Sequence, residues 1–329
     1  MSIQVGPVTI EEPVILAPMS GVSDLPFRRM VKGMGAGLVV SEMIASQAMI
    51  RQNTKTLKMA TNCAEEFPMA VQLAGCEPEI MAEAAKLNQD RGAAIIDINM
   101  GCPVKKVVNG HAGSALMREE DKAARILDAV VRAVDLPVTL KMRTGWDDNS
   151  RNAPRLAQLA ENAGIKMITI HGRTRCQFYN GKSDWAFIAR IKEETSLPVI
   201  GNGDVLTLDD VTAIMRQSGA DGVMVGRGTY GKPWFLRQVI EFLKTGRRLP
   251  DPPLSEQYAV MRRHYVDMLE HYGKLSGMRM ARKHVGWYTK GLPKSAEFRA
   301  AINKISDPDD VLSSIDVFYK ALCDRAEAA

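Results

Sequence analysis

Short apolar runs rich in β-branched residues recur through the first two-thirds of the chain. They are VILAPM (14–19), GLVVSE (37–42), PMAVQLAG (68–75), AIIDINMG (94–101), PVTLKMR (137–143), MITIHGR (167–173), PVIGNGD (198–204) and DGVMVGR (221–227). Neighbouring positions are apolar, rather than alternate ones, which is the pattern of strands buried on both faces in a parallel sheet. Amphipathic stretches such as EPEIMAEAAKLNQDRG (77–92) and DKAARILDAVVRAV (121–134) lie between them. Strand alternating with helix predicts βαβ units. Eight units in about 215 residues fit a closed (β/α)8 TIM barrel better than an open sheet.

The barrel pattern ends near Arg237, and the Pro-rich stretch GRRLPDPPLS (246–255) follows. Helices do not run through such a segment. Beyond it the periodicity predicts four helices, over 255–272, 278–292, 295–305 and 307–328. Asp307 caps the last, with Pro308 at its first position. The expected organisation is therefore an α/β barrel over residues 1–245 and a small helical bundle over 246–329.

Composition narrows the class. The 329 residues are 46% hydrophobic and 25% charged, with a net charge of +5. This excludes a disordered or collagen-like chain. No apolar run reaches the roughly 18 residues of a membrane helix. The opening MSIQVGPVTIEEPV lacks the basic and apolar regions of a signal peptide. The five cysteines (63, 76, 102, 176, 323) form no C-x-x-C pair and have no histidine at zinc-ligand spacing. A reducing cytoplasm and no metal are expected. The positive charge is uneven: residues 271–299 carry 7 Lys+Arg against Glu297 alone, whereas 303–329 carry three bases against six acids.

Polar residues gather at the C-terminal ends of the apolar runs, the end of a (β/α)8 barrel that carries active sites. The two last runs end in Asn202-Gly203-Asp204 and Gly226-Arg227-Gly228, a candidate phosphate grip of backbone N–H groups and one guanidinium. Lys141 ends the fifth run between Leu140 and Met142, where an inward ammonium is costly unless it is paired or used. Beside a flavin it would face the anionic edge of the reduced ring, and Gln72 could hydrogen-bond the pyrimidine edge. Cys102, between Gly101 and Pro103, places a thiol at the barrel mouth. Mostly protonated near neutral pH, it suits a general acid. Gly33-Met34-Gly35-Ala36-Gly37 looks like a dinucleotide loop but precedes a strand, so it is read as a helix end.

Together these segments resemble the tRNA-dihydrouridine synthase family, in its bacterial DusB-like branch. The resemblance rests on LAPMSGVSDLPFR (16–28), SEM (41–43), VQLAG (71–75), DINMGCPVKKV (97–107), GSALM (113–117), LKMRTGW (140–146), TIHGRTR (169–175), Tyr179-Asn180-Gly181 with Asp184-Trp185, GNGDV (201–205), MVGRG (224–228) and ARKHVGWY (281–288). It implies FMN over the barrel mouth, contacted by Pro18, Met19 and Ser20. Gln72 and Lys141 would bind its ring, with His171 beside it. Asn202, Gly203, Asp204, Gly226 and Arg227 would hold its phosphate. Asn99 would meet the uracil. NADPH, or NADH, would reduce FMN. The hydride would pass to C6 of a uridine in tRNA, and Cys102 would protonate C5.

A stacked uracil must leave the RNA helix to reach such a site, and a basic surface must hold the backbone. Candidate contacts are Arg279, Arg282, Lys283 and Lys290 in the helical region, with Arg143, Arg173 and Arg175 at the mouth. The expected partners are tRNA and NAD(P)H, with a monomeric protein and no membrane. Two alternatives stand beside this reading. A flavin barrel acting on a free pyrimidine, like dihydroorotate dehydrogenase, has no need of basic helices. A non-catalytic RNA-binding barrel has no need of Lys141, Cys102 and the phosphate grip.

Overall fold

The computed structural model describes residues 2–327. Eleven strands are present: β1 (Ile3–Val5), β2 (Val8–Ile10), β3 (Val14–Leu16), β4 (Leu38–Val40), β5 (Ile44–Ala45), β6 (Met69–Ala74), β7 (Ile95–Met100), β8 (Val138–Arg143), β9 (Met167–His171), β10 (Val199–Asn202) and β11 (Gly222–Val225). Parallel pairing runs β4-β3-β11-β10-β9-β8-β7-β6, and a further β4–β6 pairing closes the ring. The result is a TIM barrel of eight strands, with β5 added beside β6. All eight apolar runs are its strands.

The opening residues form an element that the apolar runs do not announce. β1 and β2 make an antiparallel hairpin, Ile3 opposite Ile10. Ile3, Val5 and Ile10 are buried in one cluster with Ile15, Leu38, Ile95, Met167 and Ile200, which lie toward the starts of their strands. The hairpin therefore plugs the end of the barrel opposite the mouth. The helix Leu25–Gly33 begins at Asp24, whose carboxylate accepts the Phe27 N–H at 3.1 Å, and stops at the glycine-rich stretch before β4. The last barrel helix, Phe235–Thr245, outlasts the apparent end of the pattern at Arg237 because Leu236 and Val239 remain buried in the barrel core.

Four helices follow: Leu254–Tyr272, Lys274–Tyr288, Ser295–Ile302 and Pro308–Glu327. The second starts four residues before the expected 278. Gly273 is the only residue between it and the preceding helix, and Gly277 lies inside it. A Cβ on Gly277 would come within 2.5 Å of the Met268 carbonyl oxygen, so this glycine lets two helices cross closely instead of ending one. Asp307 caps the last helix through the Asp309 and Asp310 N–H groups.

The helices share a second core that includes Trp234 from the barrel side. The seam is extensive. Trp287 stacks on Tyr230 with centroids 4.0 Å apart, Phe27 packs on His264 and His284, and Tyr272 donates to Asp24 at 3.0 Å. A chain ending before Leu254 would expose Trp234, Phe27 and Tyr230. Each aromatic contributes on the order of 150–250 Å² of buried surface. Only the ring faces turned to the helices become exposed; if that is roughly a third of this area, the loss is on the order of 5 kcal/mol, read as a lower thermal midpoint than that of the full chain. An unchanged midpoint would mean that the seam adds no stability. Among the described residues no helix is long and apolar enough to cross a membrane.

Candidate active site

The C-terminal strand ends enclose a cavity of about 460 Å³. Strand register explains which side chains meet there. Gln72 lies opposite Asp97, Asn99 opposite Lys141, and His171 opposite both Arg143 and Asn202. Pro18, Met19 and Ser20 line the cavity where β3 ends, and Gly226 and Arg227 where β11 ends.

At one side a carboxylate organises two arginines. Arg173 donates to both oxygens of Asp204, at 2.8 and 2.6 Å, and Arg227 donates to Oδ1 at 2.9 Å. Burial works against the Asp204 carboxylate, but these contacts and the Ser183 N–H outweigh it and hold its pKa below the usual value. Two cations on one anion leave a net positive charge, carried at the cavity by the half-exposed Arg227. Gly203 has φ +115°, and a Cβ there would come within 2.6 Å of the His171 ring. The glycine therefore lets the imidazole sit against the turn. His171 is buried, and its Nε2 has no hydrogen-bond partner. Burial, then the charges of Arg143 and Lys141, hold its pKa well below 6.5, so the ring is neutral. The ring as a whole lines the cavity, while Nε2 itself is enclosed.

Lys141 donates to Asn202 Oδ1 at 3.1 Å, leaving ammonium protons free toward the cavity it lines. Burial, helped by Arg143 and opposed by Asp97, pushes its pKa down to about 8. Beneath it runs a hydrogen-bonded chain. Asp97 accepts from Gln72 Nε2 at 2.7 Å and from Thr139 Oγ1 at 2.6 Å. Gln72 Oε1 accepts from Asn99 Nδ2 at 2.8 Å, and Asn99 Oδ1 accepts the Gly101 and Cys102 N–H groups at 3.1 and 2.9 Å. Burial raises the Asp97 pKa against these hydrogen bonds and the Lys141 charge; by accepting from Gln72 Nε2, Asp97 fixes the direction of both amides, and Asn99 holds the loop that carries the thiol.

Cys102 lines the cavity, half-buried. Its carbonyl accepts from the Ser114 N–H and hydroxyl at 3.1 and 2.8 Å, so the loop is fixed from both sides. Burial raises the thiol pKa, opposed by the Val104 N–H and by Arg143 and Lys141. The group stays protonated at neutral pH and can deliver a proton.

The basic residues are placed less uniformly than the sequence suggests. Arg143 and Arg173 are not open mouth contacts: each is 2% exposed. Arg143 donates to the carbonyls of Gly101, Thr174 and Phe178, tying the loops after β7 and β9, while Arg173 is engaged by Asp204, Asn180 and Gly181. Arg282 donates to the Ile305 carbonyl, and Lys283 reaches across to the Gly21 carbonyl beside the cavity. Arg279 and Lys290 are exposed, and Arg175 lies partly exposed on aromatic rings. Two residues escaped the sequence-based choice of site residues. Asp97 obeys the same rule that singled out Lys141, a charge inside an apolar strand. Tyr179 is exposed at the rim, 5.0 Å from the Arg227 guanidinium and 6.3 Å from the His171 ring, in a loop without periodicity.

A larger cleft of about 1210 Å³ adjoins the cavity through Ser20 and Met43 and runs toward Tyr272 and Met280. Burial pushes the Asp24 carboxyl beneath it up to about 6, against the Phe27 N–H and the Tyr272 hydroxyl. No group of three His, Cys, Asp or Glu among the described residues is arranged to hold a metal.

Comparison with known proteins bears on the family and the fold. "Probable tRNA-dihydrouridine synthase" of Rickettsia bellii is 53% identical over 324 residues, 98% of this chain and 99% of the relative. "tRNA-dihydrouridine synthase B" of Pseudomonas aeruginosa is 46% identical over 96% of each chain. Among solved structures, morphinone reductase in complex with tetrahydroNAD aligns with a TM-score of 0.52 at 15% identity, covering 78% of this chain and 93% of that one. That likeness shows the barrel fold alone. The profile of the dihydrouridine synthase family matches residues 15–325. With a match that runs from the first barrel strand into the last helix, the chain belongs to the dihydrouridine synthase family, a family of oxidoreductases.

Proposed function

We propose that the protein reduces the C5–C6 double bond of uridines in tRNA to 5,6-dihydrouridine, with FMN as its cofactor and NADPH as the electron source. The observation that carries this reading is a protonated Cys102 thiol on the same cavity as the cationic Lys141 and Arg227 and the His171 ring. These residues fit FMN. Arg227, with the Gly203 and Gly226 turns, suits the phosphate; Lys141 and Gln72 suit the ring; Pro18, Met19 and Ser20 close one side. When bound and reduced, FMN supplies a hydride to C6 of the uracil.

The chain's own residues do the rest. Lys141 stabilises negative charge at the ring edge. Asn99, held through Gln72 and Asp97, keeps the Cys102 loop in place and keeps one amide N–H for the base. Cys102 Sγ gives its proton to C5 as enolate charge builds there. The helices beyond Leu254, through Arg279 and Lys290, together with partly exposed Arg175, serve as the RNA-binding surface; Arg282 and Lys283 support it.

The test is incubation of the FMN-loaded protein with NADPH and unmodified tRNA, followed by mass spectrometry of the nucleosides. A gain of two mass units at specific uridines is expected. Turnover of free uracil or uridine with none of tRNA would favour the free-pyrimidine reading.

A further inference from the structure

Two guanidinium groups lie over one indole at the barrel rim. Arg118 Cζ is 3.9 Å and Arg175 Cζ 4.7 Å from the Trp146 ring centroid, and Arg175 is also 5.0 Å from the Phe178 ring. The three side chains come from active-site loops. Trp146 follows β8, and Arg175 follows β9. The two loops are joined by the Arg175 N–H to the Gly145 carbonyl at 2.9 Å and the Cys176 N–H to the Trp146 carbonyl at 2.8 Å. Arg118 ends the short helix Gly113–Arg118, which Ser114 ties to the Cys102 carbonyl.

The arrangement lacks a counter-charge. Among the described residues neither Arg118 nor Arg175 forms an ion pair, and the buried Nε of Arg175 has no hydrogen-bond partner. Of the acids close by in the chain, Asp147 accepts from Asn149 and Ser150 in its own turn, Glu120 pairs with Arg155 and Glu119 faces His111; Asp148 is exposed and forms no ion pair among the described residues. Two like charges held on one ring repel each other, and a shared anion relieves that repulsion. Stacking holds the planar groups while their N–H edges stay free, a donor set that matches phosphate. Position narrows the anion's source. In the closed ring of eight, β8 is four strands from β3, so this platform faces the Lys283–Gly21 contact across the mouth.

We propose that Arg118, Trp146 and Arg175 form a docking site for an RNA backbone phosphate flanking the reactive nucleotide. It holds the strand on the side of the mouth opposite the basic helices. An extruded base needs its backbone fixed on both sides, and the helices reach only one. The proposal rests on the reading that RNA is the substrate.

The test is titration of the full-length, FMN-loaded protein with unmodified tRNA over a range of KCl. Arg118→Ala is expected to weaken binding about tenfold and to lower the slope of log affinity against log salt by about one unit. Arg118→Lys, which keeps the charge without the flat group, should restore the slope but only part of the affinity. Reduction by NADPH should be unchanged, and the exposed position leaves the fold intact, checked by the thermal midpoint. If Arg118→Ala and Arg175→Ala bind tRNA with wild-type affinity and slope, the site is a pair of solvated cations and the proposal fails. A raised KM for NADPH with tRNA binding intact also overturns it, since the phosphate would then belong to the dinucleotide. Failure of the wild-type protein itself to bind tRNA would instead remove the substrate reading.

Discussion

Cys102→Ala slows reoxidation of the NADPH-reduced protein by unmodified tRNA by about 10²–10⁴-fold, the usual weight of a positioned general acid. The same substitution spares FMN binding and reduction by NADPH, because the thiol is needed only once charge builds on the uracil. It spares tRNA binding as well, since one half-buried sulfur adds little to an RNA interface. Cys102→Ser is about as slow as Cys102→Ala, because a hydroxyl is a far weaker acid. The environment sets the pH behaviour. Burial raises the thiol pKa above its ordinary 9.0 against the pull of the Val104 N–H, Arg143 and Lys141. The acid form is therefore complete at neutral pH, and the single-turnover rate declines only in the alkaline range. A packing role would give the reverse pattern: a lower thermal midpoint for Cys102→Ala and a tRNA-dependent step at wild-type rate. That rate in the alanine variant would remove Cys102 from the mechanism.

The strands were legible because a parallel barrel buries both faces of each one, so apolar runs and strands coincide. The site was legible for a related reason. Polar residues interrupt those runs only at one end, and a barrel gathers such ends at one mouth. Arg143, His171 and Asn202 stand side by side there through register, which is a property of backbone pairing.

What sequence could not settle was which charges are free. Arg143 and Arg173 read like Arg175 and Arg279, since all are arginines near the mouth or on a basic hairpin. Their difference lies in partners distant along the chain: three carbonyls for Arg143, and Asp204 with two carbonyls for Arg173. Lys283 is similar. It reads as an RNA contact on a basic helix, yet its ammonium reaches the Gly21 carbonyl beside the cavity. The β1–β2 hairpin escaped because three-residue strands carry too little pattern to separate them from an irregular start.

Lys141→Met is expected to weaken FMN binding by about 10–100-fold, the loss of a charge-assisted contact in a buried site. Methionine keeps the unbranched stem and removes the ammonium, so the barrel core is little disturbed. The wild-type protein supplies an independent check, because this ammonium titrates in an accessible range. Burial and Arg143 lower its pKa to about 8, against Asp97. Below that pH the cation is present to meet an anionic ligand; above it the free protein holds a neutral amine. Binding of FMN to the wild type should therefore fall as pH rises through about 8, with uptake of a proton by Lys141 on binding. The other cavity groups do not mimic this profile. His171 is held neutral, its pKa well below 6.5; burial takes the Arg143 guanidinium down only to about 10 and raises the Cys102 thiol above its ordinary 9.0, so both change charge at higher pH than Lys141. In Lys141→Met the affinity should be low and flat over the same range. Flavin fluorescence titrations on both sides of pH 8 measure both. Wild-type affinity in the variant, or an unchanged decline with pH, would show that the titrating cation at the flavin is a different group.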